Sequence, residues 1–453
     1  RTPGSTTNRR TFTFSTWIKR GAMADNECVF SQCSTSTYNS GTHFRMRFGT
    51  SHNLQVAMFS TDVFYTNAAY DDPTAWYNIV LAVDTTQVTD TDRVKLYVNG
   101  VQETSFSTTS WPSQDFDTGV NVSGSPILIG ADDSSAGSPS AFILSTMAHT
   151  HFIDGTAYAA STFGETDSTS GIWVPKTAPS VTYGTNGFFL KYATGATGTD
   201  SSGNGNTMTV TGTLNQTKDT PSNNFATLNS IQPVSGGFKP QSGATFANGN
   251  NVFSTNNSSG NWGVGQSTLS FQKGKWYAEC YIQQDTSDDA TVGIRSGRPE
   301  SVADYLGDLP QDYSYYADNG SYYNNNSATV YGNSYATGSY IGVYVDADNN
   351  KLYFAKDGTI QNSGTGITIS DLTDTASAFY TIGCSLWSSG TATAIFHWNF
   401  GNGIFGTTAL GGTTYADAGG EGTFKYDPSA GTFDGSSKDF RALCTNNIAT
   451  YGG

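Results

Sequence analysis

Trp76-Tyr77-Asn78-Ile79-Val80-Leu81-Ala82-Val83-Asp84 and, after a short gap, Arg93-Val94-Lys95-Leu96-Tyr97-Val98-Asn99-Gly100 make a cassette of alternating strands that closes on Asn-Gly. A second cassette repeats the pattern: Lys275-Trp276-Tyr277-Ala278-Glu279-Cys280-Tyr281-Ile282, then Ile341-Gly342-Val343-Tyr344-Val345-Asp346, then Lys351-Leu352-Tyr353-Phe354-Ala355-Lys356-Asp357-Gly358. Asn-Gly and Asp-Gly tolerate the positive φ that a tight hairpin demands, so each cassette reads as antiparallel strands joined by a short turn. Two well-separated cassettes imply two antiparallel β-sandwiches in series. Sandwiches of this kind more often bind than catalyse.

Working outward, 453 residues suffice for two or three domains with real cores. Charged residues make up 13% of the chain, against a usual share of roughly 25%. Gly, Ser, Thr and Asn fill the gap, and aromatics reach 13%. Disordered chains show the opposite balance, so this composition implies folded, loop-rich β protein. The net charge of −15, with basic spots only at Arg9-Arg10 and Lys19-Arg20, argues against nucleic acid as a partner. No apolar run is long enough for a membrane span. The five cysteines (Cys28, Cys33, Cys280, Cys384 and Cys444) are too few for a disulfide framework. Cys28 and Cys33 flank a short loop where they can pair; the alternative is small buried thiols. Residue 1 is Arg rather than Met, so it reads as lying downstream of the translation start, with any leader or anchoring segment outside this chain.

Residues 1–170 form the first expected unit. Thr11 to Lys19 alternates strictly, as do His43 to Phe48 and Asn53 to Phe59, and Pro126 to Gly130 and Ala141 to Ile153 supply its last strands. Helix should be scarce; Ala159 to Glu165 is the place for one short turn. Residues 171–224, rich in Gly, Ser, Thr and Asn, read as a connector, within which Gly187 to Tyr192 is a strand available to the first sandwich. The second unit is expected over 225–447, with strands at Trp276–Ile282, Thr291–Ile294, Ile341–Val345, Lys351–Ala355, Phe379–Leu386 and Thr393–Phe400, and a tail over 448–453.

These residues resemble known families. Phe14-Ser15-Thr16-Trp17-Ile18-Lys19, Trp76 to Val80, Val94 to Gly100 and Phe152-Ile153-Asp154-Gly155 resemble the laminin-G-like, concanavalin A-like lectin superfamily. Gly274 to Glu279, Ile341 to Asp346 and Leu352 to Gly358 resemble SPRY domains. The fold class implied is all-β, a jelly-roll or concanavalin A-like sandwich followed by a SPRY-like one. The tandem order, Asp200-Ser201-Ser202-Gly203-Asn204-Gly205-Asn206 and the ending Phe440 to Asn447 resemble virion structural proteins of tailed bacteriophages, notably marine ones. That resemblance implies a fibre, capsid decoration or adhesin at the virion surface. Its partners would be other virion proteins, further copies of itself and host surface polysaccharide. The alternatives are a purely structural capsid or tail protein and a secreted carbohydrate-binding protein. Fold alone does not choose among these.

A sandwich glycosidase needs two carboxylates facing each other across a cleft. No Glu-x-Asp-x-x-Glu pattern occurs, and Glu279 is the sole acid of its strand. A nucleophile elbow is also missing, so no catalytic residue and no enzymatic activity are expected. For a metal, His149 and His151 stand at i and i+2 of a strand, where two imidazoles can face one ion, with Asp132 and Asp133 candidates nearby. The alternative is a pair of histidines facing solvent or an interface. The laminin-G resemblance adds Ca²⁺ at a loop rim, for which Asp71, Asp72, Asp132 and Asp133 are the available acids. Their bland role is to cap loop backbone. No other cofactor is expected.

The densest candidate for ligand contact is Tyr313, Tyr315, Tyr316, Tyr322, Tyr323, Asn324, Asn325, Tyr331 and Tyr335. Aromatic faces stack on sugar C–H faces, and Asn amides both donate to and accept from hydroxyls. The competing account is ordinary packing or contact with a neighbouring virion protein. Trp17, Trp76 and Trp276 fall in strands and are expected in the core, whereas Trp387 and Trp398 are left open.

Overall fold

The computed structural model describes the chain except residues 34–42, 60, 133–138, 213, 235–236, 240–243, 256–260, 287–288, 297–304, 373–378, 390–392 and 453. It divides into two compact units, Arg1–Gln216 and Thr217–Gly453. Both are built from antiparallel strands. The α-helix among the described residues is the short Thr445–Tyr451, and the turn at Ala160–Thr162 is 3-10.

The first unit is built around two six-stranded sheets, with Gly164–Thr166 and Trp173–Pro175 paired as a small two-stranded one. One runs in the order Phe188–Leu190, Thr146–Asp154, Thr11–Lys19, Trp76–Asp84, Val94–Val98, Val101–Gln102. The other runs Ile127–Ile129, Cys28–Gln32, Phe44–Phe48, Asn53–Met58, Thr61–Ala69, Phe106–Thr109. The period of two sends Phe12, Phe14 and Ile18 to the shared core, where Phe14 stacks on Phe30 with centroids 4.7 Å apart. Trp17 has the opposite parity. It is buried, as is Trp76, but on the outward side of the sheet. There Phe163, Tyr158, Trp173 and Tyr183 pack against Val80 and Ile153 as an extra layer.

The glycine-rich stretch before Gln216 belongs to this unit. Asp200 accepts from the amides of Phe189 (2.9 Å), Ser202 (2.8 Å) and Asn206 (2.7 Å). Asn206 in turn donates to the Thr185 and Gly187 carbonyls. Asp200 to Asn206 is thus a hydrogen-bonded clasp that fastens the strand Phe188–Leu190 to the sheet edge, where it pairs with Thr150 to Phe152.

The second unit has a sheet ordered Ala244–Ala247, Val252–Thr255, Ala394–Asn399, Lys275–Asp285, Tyr340–Asp346, Lys351–Lys356, Thr359–Ile360. Ile367–Thr368 also pairs with Lys351–Lys356, and Arg441–Ala442 returns parallel to Lys275–Asp285. Facing it is the sheet Asn261–Gln266, Tyr380–Ser388, Ala290–Ser296, Tyr313–Tyr316, Ser321–Asn324, Ser327–Val330. Trp276, Trp398, Ile382, Cys384 and Leu386 fill the space between them, and Tyr315 from one sheet stacks on Phe354 from the other at 5.3 Å. All five cysteines are buried thiols, and Cys28 and Cys33 are not joined in a disulfide.

The two signature turns share a construction. Asn99 and Gly100 sit at φ 48° and 82°, Asp357 and Gly358 at 50° and 79°. Asn99 Oδ1 accepts from the Asn78 amide (2.7 Å), and Asp357 Oδ1 accepts from the Tyr340 amide (2.9 Å). An aromatic ring covers each glycine: a Cβ on Gly100 would lie 2.6 Å from Trp173, and one on Gly358 would lie 2.4 Å from Tyr426. Gly358→Ala therefore combines left-handed strain with a ring overlap, and should cost about 2 kcal/mol or more in urea unfolding of the second unit. A loss under about 0.5 kcal/mol would mean that the Tyr426 ring does not depend on this glycine.

Candidate functional site

In the sheet that carries Tyr313–Tyr316, the strand residues Ala290, Val292, Ile294, Ile382, Cys384 and Leu386 point into the core. Alternation turns Trp387, Thr291 and Tyr316 outward. Trp262 is the register partner of Trp387, Tyr316 of Thr291, and Tyr323 of Ser314, so Trp262 and Tyr323 share that outward face. Tyr305 lies across it. Arg295 fixes that residue, donating to the Tyr305 carbonyl (3.0 Å) and pairing with buried Asp312 (2.7 Å), while the Leu306 amide donates to Ser385.

The result is a continuous row of five half-buried rings. Trp262 lies 5.7 Å from Trp387 and 5.2 Å from Tyr305, and Tyr305 lies 6.1 Å from Tyr323, which is 5.2 Å from Tyr316. Neighbouring planes are tilted or crossed, so faces and edges alternate and the surface is corrugated. Polar acceptors stand at its rim: the Tyr316 hydroxyl donates to Asp289, and that of Tyr305 to Asn326. Such a surface can cover the apolar face of a ligand while acceptors at the rim engage its hydroxyls.

Only part of the sequence-derived tyrosine set belongs to this face. Tyr313, Tyr315, Tyr331 and Tyr335 are buried in the core, which corrects their reading as ligand contacts. Their hydroxyls are used internally: Tyr335 donates to the Tyr315 carbonyl (2.8 Å), and Tyr331 accepts from the Phe354 amide (3.2 Å). Tyr322 packs against that core and meets Tyr331 edge to face. Asn324 donates to the carbonyls of Pro310 (2.8 Å) and Asp312 (2.9 Å), and Asn325 occupies a left-handed turn position at φ 50°. Tyr316 and Tyr323 remain. Trp262 and Tyr305 were not singled out by the sequence; the outward parity of Trp387 against the core trio Ile382, Cys384 and Leu386 was the signal available.

The metal candidates do not assemble. Among the described residues no three His, Cys, Asp or Glu side chains converge in a way that would hold an ion. Asp132 is buried against His43 (2.8 Å) and Arg45 (3.5 Å). Burial pushes its carboxyl up, but these two partners together hold it below the ordinary value. Asp133 lies outside the described residues. Asp72 accepts from the amide and hydroxyl of Thr74, a turn-capping role, and Asp71 beside it is half-buried. The strand carrying His149 and His151 has a bulge between the partners of Ser15 and Trp17, with His149 at φ 48°. Both imidazoles stack on Phe189, and His151 also shares a hydrogen bond with the Tyr183 hydroxyl (2.9 Å). Burial, with His149 and Lys191 close by, pushes His151 down to about 3. A neutral imidazole inside an aromatic stack explains the pair better than a shared ion does.

Glu279 faces away from the core, but it is sealed. Its oxygens accept from the amides of Lys425 (2.9 Å) and Tyr426 (2.7 Å), from Asn399 Nδ2 (3.1 Å) and from the Tyr277 hydroxyl (3.1 Å).

Two sandwiches in tandem, one with an outward aromatic row, define a protein built for binding or protein interaction. Residues 1–148 match the family model of the concanavalin A-like lectin/glucanases superfamily, and residues 251–397 match that of the SPRY domain. The chain therefore carries a concanavalin A-like domain followed by a SPRY domain. Over 100 residues it is 30% identical to a dual specificity protein kinase, splA, of Dictyostelium discoideum; this stretch is 22% of the chain and only 4% of the kinase. Among solved structures it is similar to a human SPRY domain, with 19% identity over 33% of this chain and 90% of that one and a TM-score of 0.26. It is also similar to the SPRY domain of human HERC1, with 19% identity over 34% and 91% and a TM-score of 0.27.

Proposed function

We propose that the chain is a non-enzymatic surface protein of a virion, a fibre, decoration or adhesin that binds host-surface glycan weakly at the face formed by Trp262, Trp387, Tyr305, Tyr323 and Tyr316. The observation that carries this reading is the continuous, half-exposed ring row on the outward side of a sheet. Isolated exposed aromatics are ordinary, whereas a contiguous row with acceptors at its rim is the form of a recognition surface. The tandem-domain resemblance to phage structural proteins supports the virion setting. Display in many copies would turn weak single contacts into firm attachment. The engagement of Glu279 by four donors supports the non-enzymatic part, since no lone pair is left directed at a sugar.

Trp387→Ala and Tyr323→Ala should each weaken binding to immobilised host glycans by about ten-fold, with unchanged circular dichroism. Tyr335→Phe, inside the core, should leave binding as it is. Glycan binding that survives loss of both Trp387 and Tyr323 would remove this face from the function. Imaging of purified particles tests the location: a face covered by a neighbouring subunit would assign it to assembly instead.

A further inference from the structure

The other sheet of the SPRY domain carries a second aromatic group of different chemistry. On Lys275–Asp285, Trp276, Ala278, Cys280 and Ile282 point to the core, so Tyr277, Glu279 and Tyr281 face outward. Tyr281 stacks on its register partner Tyr340 with centroids 4.6 Å apart. Tyr340 also meets Phe405 at 5.3 Å and Tyr426 at 5.8 Å. Over these rings lies an ammonium: Lys425 Nζ is 4.9 Å from the Tyr340 centroid and 5.7 Å from that of Tyr426.

The position of that ammonium is built in. Glu279 holds the amides of both Lys425 and Tyr426, and Asn399 donates to the Thr423 carbonyl (3.0 Å) just before them. The chain has 22 Lys and Arg against 37 Asp and Glu, and Lys425 has no ion pair among the described residues. Asp357, an acid close to Tyr340 and Tyr426, is engaged by Lys356 (2.9 Å) and by the Tyr340 amide, and Asp427 accepts from the amide and hydroxyl of Ser429. A cation held over tyrosine rings without a carboxylate partner is desolvated on one side and positioned to meet an anion on the other.

We infer that Lys425, with Tyr281, Tyr340 and Tyr426, forms a second saccharide site selective for sugars that carry a carboxylate. The ammonium would pair with the carboxylate while a tyrosine ring covers the adjoining pyranose face. The inference rests on reading the chain as a glycan binder, but it concerns a different sheet from the Trp262–Trp387 row, so the two separate experimentally.

The test is calorimetric titration of the whole chain with oligogalacturonate and with its fully methyl-esterified, neutral counterpart. The acid form should bind about ten-fold more tightly at low salt, and the preference should shrink as salt rises. Lys425→Gln keeps the backbone bond to Glu279 and should bring the acid form down to the level of the ester. Lys438→Gln, an exposed lysine elsewhere, should change nothing. Tyr281→Leu should weaken both forms by about three-fold or more. Equal binding of acid and ester, or an acid preference that survives Lys425→Gln, overturns the inference. If in that case binding is lost on Trp387→Ala, the glycan reading stands and only the anion site falls. If neither oligomer nor any host glycan binds the wild type, both fall.

Discussion

Arg20→Met lowers the unfolding free energy of the first unit by about 3 to 5 kcal/mol, the usual cost of stranding one member of a buried ion pair. Arg20 and Glu27 are fully buried and 2.8 Å apart. The guanidinium lies 3.8 Å from the centre of the Phe48 ring and donates to the Tyr70 carbonyl at 2.9 Å. Glu27 also accepts from the Leu144 amide at 2.9 Å. Burial drives both groups toward neutrality, raising the Glu27 carboxyl and lowering the Arg20 guanidinium, and each is opposed by the other's charge. Removing only Arg20 leaves Glu27 with a single amide donor in a dry site. The double variant Arg20→Met/Glu27→Leu strands no charge and should recover most of the loss, to within about 1 to 2 kcal/mol of wild type. The measurement is urea unfolding followed by tryptophan fluorescence in all three variants. Equal losses in the single and double variants would show that the guanidinium acts through packing on Phe48 rather than through its charge.

Neither this pair nor Glu279 was legible in the sequence, for one physical reason. Strand periodicity is local, and it revealed what depends on neighbours in the chain: the alternation of Thr11 to Lys19 and the left-handed turns at Gly100 and Gly358. Which outward residues are then covered depends on segments that return from far along the chain. Glu279 is sealed by amides 146 and 147 residues away, and Asp132 meets His43 across 89 residues. The tyrosine-rich stretch misled for a related reason. Density in Tyr and Asn does not distinguish the two faces of a strand, and Tyr313 and Tyr315 share the inward parity while Tyr316 takes the other. The two histidines do meet, since both imidazoles stack on Phe189, but Phe163 and Tyr183 also pack on His151, and the sequence did not show that aromatic rings would occupy that place.

Glu279→Ala should be at least as damaging to the second unit. It strips the acceptor from two backbone amides, an Asn side chain and a Tyr hydroxyl, all in a buried place. At about 1 to 3 kcal/mol for each donor that fails to find water, a loss of about 4 kcal/mol is expected. The segment Thr423–Phe424 and the following Lys425 and Tyr426 should detach first, seen as a gain in amide hydrogen exchange there. The same residue gives a pH signature. Burial raises the Glu279 carboxyl from 4.5 to about 7, despite the four donors pulling the other way. A carboxyl that is harder to ionise folded than unfolded stabilises fully below pH 4.5, and that contribution fades as pH rises through 7. His397 in the same unit, pushed down by burial, acts in the opposite sense, losing stability as pH falls. The difference between wild type and Glu279→Gln removes the histidine from the comparison. Between pH 5 and pH 8 wild type should lose about 2 to 3 kcal/mol more than Glu279→Gln. Parallel stability curves for the two proteins over that range would mean that Glu279 stays ionised throughout. The donors would then outweigh burial, and the segment presenting Lys425 would be held equally well at every pH from 5 to 8.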